Sequence, residues 1–353
     1  MCGGGAASGS PTAVPAEVGA FRGESVPLRP VLGLRLITLV DNMLDLLAAD
    51  VGPARRHPLG AWPRSPAARH QLDPVLDGPV GEHGFSALVE IELGDGSVHR
   101  LLFDTGISPE GMVSNMRRLG IAPDSVEGVI CSHGHFDHTT GLDGLSRAVG
   151  GRANLPVLIH PEFWTRRRIV LPGRDPWELP TTSRGALEGI GFQIIERPQP
   201  SFLLAESVLI TGEVARTTEF ERGFGPHQAL RNGSWEPDPL ILDDQALVVH
   251  VAGRGLVVLS GCGHAGIVNI VRYARALTGV EQVCAVIGGF HLTGAYFEPI
   301  INTTVNALGE LAPEVVVPAH CTGWRAMHEL ANRLPEAFVA NSIGTSIELQ
   351  RAA

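Results

Sequence analysis

The chain has 353 residues, of which 44% are hydrophobic and 18% charged, so it carries enough apolar material for a folded core. Its formal net charge of −10 argues against a general nucleic-acid-binding protein, because such proteins need basic surface to neutralise phosphates. The sequence has no uninterrupted apolar run of about 18 residues, so no membrane span is predicted.

The cysteines and the first residues predict the redox compartment and the domain boundaries. Five scattered cysteines without a CxxC pair favour reduced thiols in a cytoplasmic protein. The first residues lack the basic start and apolar core of a signal peptide. Residues 1–30 are rich in Gly, Ala, Ser and Pro and are predicted to be a disordered tail. Residues 31–353 are predicted to form a single domain, with irregular insertions near 51–81 and 162–190.

Two basic stretches lie in these insertions. The segment 54–70 carries four arginines and no acid, which favours a solvated loop, with a lip over an anionic substrate as the alternative. Arg166, Arg167 and Arg168 are consecutive, and such a run is usually a solvated face.

The first half of the chain reads as strands and helices in alternation. Apolar patterns predict strands at 32–40, 87–91, 98–103, 128–130 and 156–160, and helices at 112–119 and 142–149. The strand at 98–103 ends in Asp104-Thr105-Gly106, a triplet also found in aspartic proteases. Those enzymes need two such aspartates and this chain has one triplet. We therefore expect Asp104 to accept a hydrogen bond from a metal-binding imidazole and fix its tautomer.

The strand at 128–130 runs into a loop with four potential metal ligands. His133 and His135 are two residues apart, so in an extended loop both can point to one side. Asp137 and His138 are adjacent and must point elsewhere, as if toward a second centre. Imidazole and carboxylate ligands suit zinc, iron or manganese.

The second half repeats this pattern. Strands are predicted at 192–195, 208–210, 246–251, 255–259, 283–287 and 315–317, with helices at 267–277, 301–308 and 324–334. Three of these strands each end near a histidine, namely His264, His291 and His320. Strand-end loops on one side of a sheet converge, so these histidines are expected to join the first group. Each alone could be a core histidine, and His291 is the one best suited to contact a substrate.

The histidine loop resembles the metal-binding signature of the metallo-β-lactamase superfamily, and the element order over about 32–348 is similar to its fold. The resemblance implies an α/β protein with a four-layer αββα sandwich. Seven strings in the same order resemble the dihydropteroate-synthase-like branch; they begin at Asp41, Glu82, Leu102, Gly212, Gly261, Gly288 and His320. That branch is named for an enzyme that joins a dihydropterin to a ribofuranosyl-aminobenzene phosphate, and most members are called metal-dependent hydrolases.

The resemblance also implies a ligand set. His133, His135, Asp137, His138 and His320 match superfamily ligand positions, and His264 is expected to serve as a further ligand. Cys262 stands where the superfamily has a metal-bridging aspartate, and Asp243-Asp244 occupy the loop expected to carry a separate histidine. Cys262 and either aspartate are therefore additional candidates. About two divalent ions are expected, with zinc favoured and iron or manganese as alternatives.

The leading functional hypothesis is a metal-dependent hydrolase of a small, anionic substrate. Bound metal acidifies water, Asp137 would act as the catalytic carboxylate, and Arg216 and His291 would bind the substrate. The alternative is a transferase that joins a dihydropterin diphosphate to an arylamine. A nuclease and a non-enzymatic ligand sensor are less favoured. A small-molecule substrate is expected, without nucleic acid or membrane, and the sequence predicts no oligomeric state.

Overall fold

The computed structural model describes residues 25–150 and 154–352, and two β-sheets form its centre. The first sheet has eight strands. In spatial order they are Phe192–Glu196, Leu155–Ile159, Gly128–Ile130, Val98–Phe103, Ser86–Glu92, Gly33–Val40, Ser346–Gln350 and Ala54–Arg55. Most of these strands match the predicted ones to within a residue or two; Ser346–Gln350 and Ala54–Arg55 were not predicted.

The second sheet has six strands. In spatial order they are Ser201–Leu203, Val208–Ile210, Leu247–Val251, Gly255–Ser260, Val283–Gly289 and Val315–Ala319. The last three run parallel to one another, and their uniformly buried residues are typical of strands covered on both faces.

Helices cover the outer face of each sheet. They are Gly111–Arg118, Phe136–Thr139, Leu142–Ala148, Arg184–Gly189, Ile267–Thr278, Ile301–Glu310 and Trp324–Arg333. One apolar cluster lies between the two sheets, a second between the first sheet and its helices, and a third between the second sheet and its helices. Three cores separate four layers, so the predicted αββα sandwich is confirmed.

A third sheet, called here the insert sheet, was not predicted. It pairs Trp177–Glu178, Arg167–Ile169, His227–Arg231 and Ser234–Pro237. The expectation that 162–190 is irregular was therefore wrong in part, as was the solvated reading of the arginine run. Arg167 is only 2% exposed and ion-pairs with Asp238 and Asp243, because a buried guanidinium needs charged partners. The insertion at 51–81 does consist of short pieces, including the strand pair Arg64–Ser65 and Val75–Leu76.

The end of the predicted tail is part of the fold. Leu28 is buried in the core beside the second sheet. The amides of Val26 and Arg29 donate to the carbonyls of Leu277 and Glu206 at 2.6 and 2.8 Å. Residues 25–30 are thus ordered, contrary to the prediction, because Leu28 and these backbone bonds anchor them. Residues 1–24 of the predicted tail lie outside the described part of the chain.

The sheets place the chemically active loops together. The parallel strands Val98–Phe103 and Gly128–Ile130 end at Asp104 and at the histidine loop. The parallel strands of the second sheet end near Cys262, His291 and His320. Because both sets of carboxyl ends face the same edge of the sandwich, their side chains converge there.

Candidate metal centre and pocket

The histidine loop is held against its neighbours by backbone contacts. A Cβ on Gly134 would lie 2.2 Å from the carbonyl oxygen of Phe163, so only glycine fits this approach. The Gly134 amide donates to Asp243 Oδ2 at 2.8 Å. With the loop fixed in this way, His133 Nε2 and His135 Nδ1 face each other at 3.0 Å.

Asp137 and His138 contact a further set of side chains, but the prediction that both point away from His133 is wrong for His138, whose ring centroid lies 4.4 Å from that of His133. They lie on the short helix Phe136–Thr139, and Asp137 Oδ2 is 3.3 Å from Nε2 of His320 and 3.4 Å from Nε2 of His83. The side chain of His138 reaches Cys262, with 3.1 Å between Nε2 and Sγ.

Three groups of potential ligand atoms among the described residues share Cys262, and two of them contain predicted ligands. Asp137, His138, Cys262 and His320 form one, with all ligand atoms within 4.8 Å of one another. His133, Cys262 and His264 form the other within the same limit, and His135 adjoins it through His133. The structure thus brings together all six residues predicted as ligands.

Buried carboxylates position His138 and His320. Asp104 Oδ2 lies 2.7 Å from His138 Nδ1, which is the contact predicted for it, and both its oxygens accept hydrogen bonds from Ser132. Asp41 Oδ1 accepts the backbone amide of His320 at 2.8 Å. The Asp104 carboxylate behind His138 fixes that ring and leaves Nε2 free for a metal, whereas Asp41 holds the backbone of His320.

The donor set fits a metal centre. His133 Nε2 and His135 Nδ1 share at most one proton at 3.0 Å, and the buried Nε2 atoms of His135 and His264 find no hydrogen-bond partner among the described residues. Burial lowers the pKa of all three histidines well below the ordinary value, which keeps them neutral. Neutral imidazole is the form that binds metal.

The group of Asp137, His138, Cys262 and His320 differs in charge from the group of neutral histidines. Burial by itself lowers the pKa of His138, but Asp104 and Asp137 outweigh it and raise that pKa to about 9. Burial by itself raises the pKa of Asp137, but His138 and His320 hold it well below the ordinary value. The carboxylate therefore carries its negative charge at neutral pH.

Comparison with known proteins places this centre in a family. The model for the metallo-beta-lactamase superfamily matches residues 80–276, which include both donor groups except His320. The chain belongs to the metallo-β-lactamase superfamily.

Individual relatives agree with this assignment. The chain is 32% identical over 265 residues to a 7,8-dihydropterin-6-methyl-4-(beta-D-ribofuranosyl)-aminobenzene-5'-phosphate synthase of Methanocaldococcus jannaschii, covering 73% of this chain and 86% of the relative. The crystal structure of a metal-dependent hydrolase of the superfamily superposes with a TM-score of 0.65 and 26% identity, over 90% of this chain and 99% of that one. A ribonuclease Z of Pyrobaculum neutrophilum is 43% identical over 68 residues only, 18% of this chain and 23% of that enzyme.

The two aspartates of the 243–244 loop have different environments. Asp243 bonds to Arg167 at 2.5 Å; burial by itself would raise its pKa, but Arg167 holds that pKa below the ordinary value. Its carboxylate is therefore committed to Arg167 and to the Gly134 amide. Asp244 accepts the Ala265 amide through Oδ2 at 2.7 Å, while Oδ1 is buried and unpartnered among the described residues. Burial raises the pKa of Asp244 to about 7. Of the two aspartates, Asp244 is the one that keeps an oxygen without a hydrogen-bond partner among the described residues.

Arg216 does not occupy the predicted substrate-binding place. Its guanidinium donates to the carbonyl of His264 at 2.8 Å and to the carbonyl of Leu240. It lies behind the metal centre, and the described pocket lining does not include it. The alternative pairing with Glu213 is not made either, since Glu213 lies 3.5 Å from His160. Arg216 links the His264 loop to the segment at Leu240, because its guanidinium donates to one backbone carbonyl in each.

A pocket of about 200 Å³ opens over the metal centre. His291 lines it, with its ring centroid 4.3 Å from that of His264, and its contact with a substrate stays a prediction. The walls are apolar and aromatic and comprise Phe136, Ile169, Trp177, Leu179 and Phe224. Among the described residues, this lining contains no arginine or lysine.

Several pocket residues escaped the sequence analysis. Trp177 and His227 belong to the insert sheet, whose short strands carry no clear period. His83 lies in a string shared with the branch, and Cys321 follows a predicted ligand, so both had a signal in the sequence.

None of the helices in the described ranges is long and apolar enough to cross a bilayer.

Proposed function

We propose that the chain is a metal-dependent transferase that joins a planar heteroaromatic electrophile, of the dihydropterin diphosphate kind, to an arylamine. The observation that carries this proposal is the aromatic pocket over the metal centre, whose described lining contains no arginine or lysine. The activity of the Methanocaldococcus jannaschii relative supports it, because its product couples a dihydropterin to an aminobenzene.

The metal ions would be held by the two donor groups that share Cys262. Divalent metals at such a site polarise substrate oxygens and stabilise the charge of a leaving group. Thiolate and imidazole donors favour zinc, with iron as the alternative.

The pocket walls suit a flat ring better than a charged group. Phe136 and Trp177 stand edge to face with ring centroids 6.1 Å apart, and Trp177 is 55% exposed at the rim. Aromatic walls bind the faces of planar rings. Arg216 lies outside the pocket lining, so the diphosphate would be bound by the metal ions and not by that arginine.

Asp137 and His83 form a carboxylate–imidazole pair at the pocket. The hydrogen bond to Asp137 raises the pKa of His83 above its ordinary value, and His83 is partly exposed to solvent. In the joining reaction a C–N bond forms, the C–O bond to the diphosphate breaks, and the arylamine loses a proton. Asp137 and His83 would take up that proton and pass it to water.

Hydrolysis is the second candidate, and the superposed metal-dependent hydrolase supports it. It requires water at the reacting atom, whereas most of the accessible surface of the pocket lining is apolar. That difference favours transfer between two organic substrates.

The test is a direct comparison of the two reactions. Purified metal-loaded protein is incubated with a dihydropterin diphosphate and an arylamine, and separately with phosphoester, lactone and thioester substrates. We expect the joined product and diphosphate release in the first assay only. Turnover confined to the hydrolytic assays would overturn the transferase proposal in favour of the second candidate.

A matched pair of variants tests the pocket. Trp177→Ala should raise KM for the ring substrate about fivefold, because an aromatic contact contributes about 1 kcal/mol. Trp324→Ala changes an exposed tryptophan outside the pocket lining and should leave KM unchanged. An equal effect of the two changes would count against the aromatic pocket as the ring site.

A further inference from the structure

Cys321 is a buried thiol that neither donor group of the metal centre uses. Its Sγ donates to the carbonyl oxygen of Cys262 at 3.3 Å, and it lines the pocket beside Cys262 and His291. The two sulfur atoms and one ring nitrogen of His291 all lie within 4.8 Å of one another. Two sulfurs and an imidazole are donors that zinc and other soft divalent ions prefer.

The backbone around this trio is built to hold it. His291 has a φ of 43°, a left-handed conformation that a non-glycine residue adopts only where its surroundings impose it. Its Nδ1 is buried and finds no hydrogen-bond partner among the described residues. A Cβ on Gly289 would lie 2.8 Å from Cys321 Sγ and 3.1 Å from the Cα of Cys262. Glycine at this position therefore leaves the room that the thiol occupies.

We propose that Cys262, His291 and Cys321 form a third metal position, on the pocket side of the histidine centre, that binds a soft divalent ion such as Zn²⁺ or Cd²⁺. The proposal rests on the proposed metal-dependent function, since Cys262 also belongs to both donor groups. On binding, each thiol that becomes a ligand releases its proton to solvent. An ion in this position lies on the floor of the substrate pocket.

The experiment is a Cd²⁺ titration of the full chain, followed by equilibrium dialysis, metal analysis and ultraviolet absorption of the thiolate–cadmium bonds. The wild type should bind about three ions per chain. Cys321→Ser should bind one ion fewer and lose about half of the thiolate absorption, because one of two sulfur ligands is gone. The matched control is Cys284→Ala, a buried thiol in the core between the sheets, which should bind and absorb like the wild type.

The outcomes separate this proposal from the proposed function. If Cys321→Ser keeps the ion count and absorption of the wild type, the third position is refuted and the histidine centre stands. If the wild type binds no cadmium at all, the metal-dependent function fails with it. Cadmium-113 NMR of the wild type guards against a variant that does not fold. It should show one resonance from an ion with two sulfur ligands, and single-sulfur resonances alone would overturn the proposal.

Discussion

At the scale of single residues, Asp104 has the clearest role in the centre. It is fully buried, and its two oxygens bind the Ser132 amide and hydroxyl and the ring of His138 at 2.6 to 2.7 Å. The triplet containing Asp104 could be interpreted from the sequence because a lone aspartate at a strand end beside a histidine loop has few other uses. The partners of Arg216 could not be predicted, since every residue has a backbone carbonyl and the sequence does not show which one accepts a hydrogen bond.

Asp104→Asn tests this role. The change keeps the side-chain shape but removes the charge that orients His138, so metal affinity should fall about 10- to 100-fold. Competition with a chromophoric chelator measures the affinity. Asp95→Asn, in the exposed turn of the 86–103 hairpin, serves as the control and should change nothing. Wild-type affinity in the Asp104 variant would contradict the role.

At the scale of elements, the insert sheet depends on a buried charge network. Arg167 lies 2.9 Å from Asp238 and 2.5 Å from Asp243, and Asp243 in turn holds the histidine loop through Gly134. The sequence showed only three consecutive arginines. Which of the three turns inward depends on strand pairing, and the pattern of charges alone does not encode that pairing.

Arg167→Met should leave two buried carboxylates without their cationic partner and lower the free energy of unfolding by about 3–5 kcal/mol. Arg166→Met is the matched control, because Arg166 makes an exposed pair with Glu178 and such pairs contribute about 1 kcal/mol or less. Urea denaturation of both variants measures the difference. A loss for Arg167→Met no larger than that for Arg166→Met would show that the network does not stabilise the fold.

The start of helix Ile267–Thr278 gives a pH-dependent prediction. Glu221 accepts the amides of Val268 and Asn269 at 2.9 Å each, and burial raises its pKa from 4.5 to about 6. The folded state therefore binds the proton more tightly than the unfolded state. This group's contribution to stability is present below pH 4.5 and is lost as the pH rises through 6.

As the pH rises from 4.5 to above 6, the free energy of unfolding of the wild type should therefore fall by about 2 kcal/mol relative to that of Glu221→Gln. The difference between the two proteins removes the pH dependence of all other groups. Denaturant unfolding at several pH values measures it. A difference in the free energy of unfolding that stays constant, or that grows in favour of the wild type as the pH rises, would show that burial does not raise the pKa of Glu221.

At the scale of the whole molecule, the sequence predicted the sandwich and the convergence of its loops. The buried parallel strands have strong apolar runs, and each ends in a histidine or aspartate, so their common edge followed from topology. The insert sheet and the aromatic pocket did not follow, because their strands are two to five residues long and pair across about 60 positions of chain. The expected grip of Arg216 on an anionic group of the substrate failed, because the guanidinium is bonded to backbone carbonyls outside the pocket.

The central claim is that both sheets meet at a metal centre built on the histidine loop. Metal analysis of the purified wild type and of the double variant His133→Ala/His135→Ala tests it most directly. We expect about two transition-metal ions per chain in the wild type as purified, with the third, pocket-side position filled only when soft metal is added. The double variant should lose most of the metal found in the purified wild type. Circular dichroism checks that the variant is folded. Equal metal content in a folded double variant, or a wild type without metal, would contradict the account.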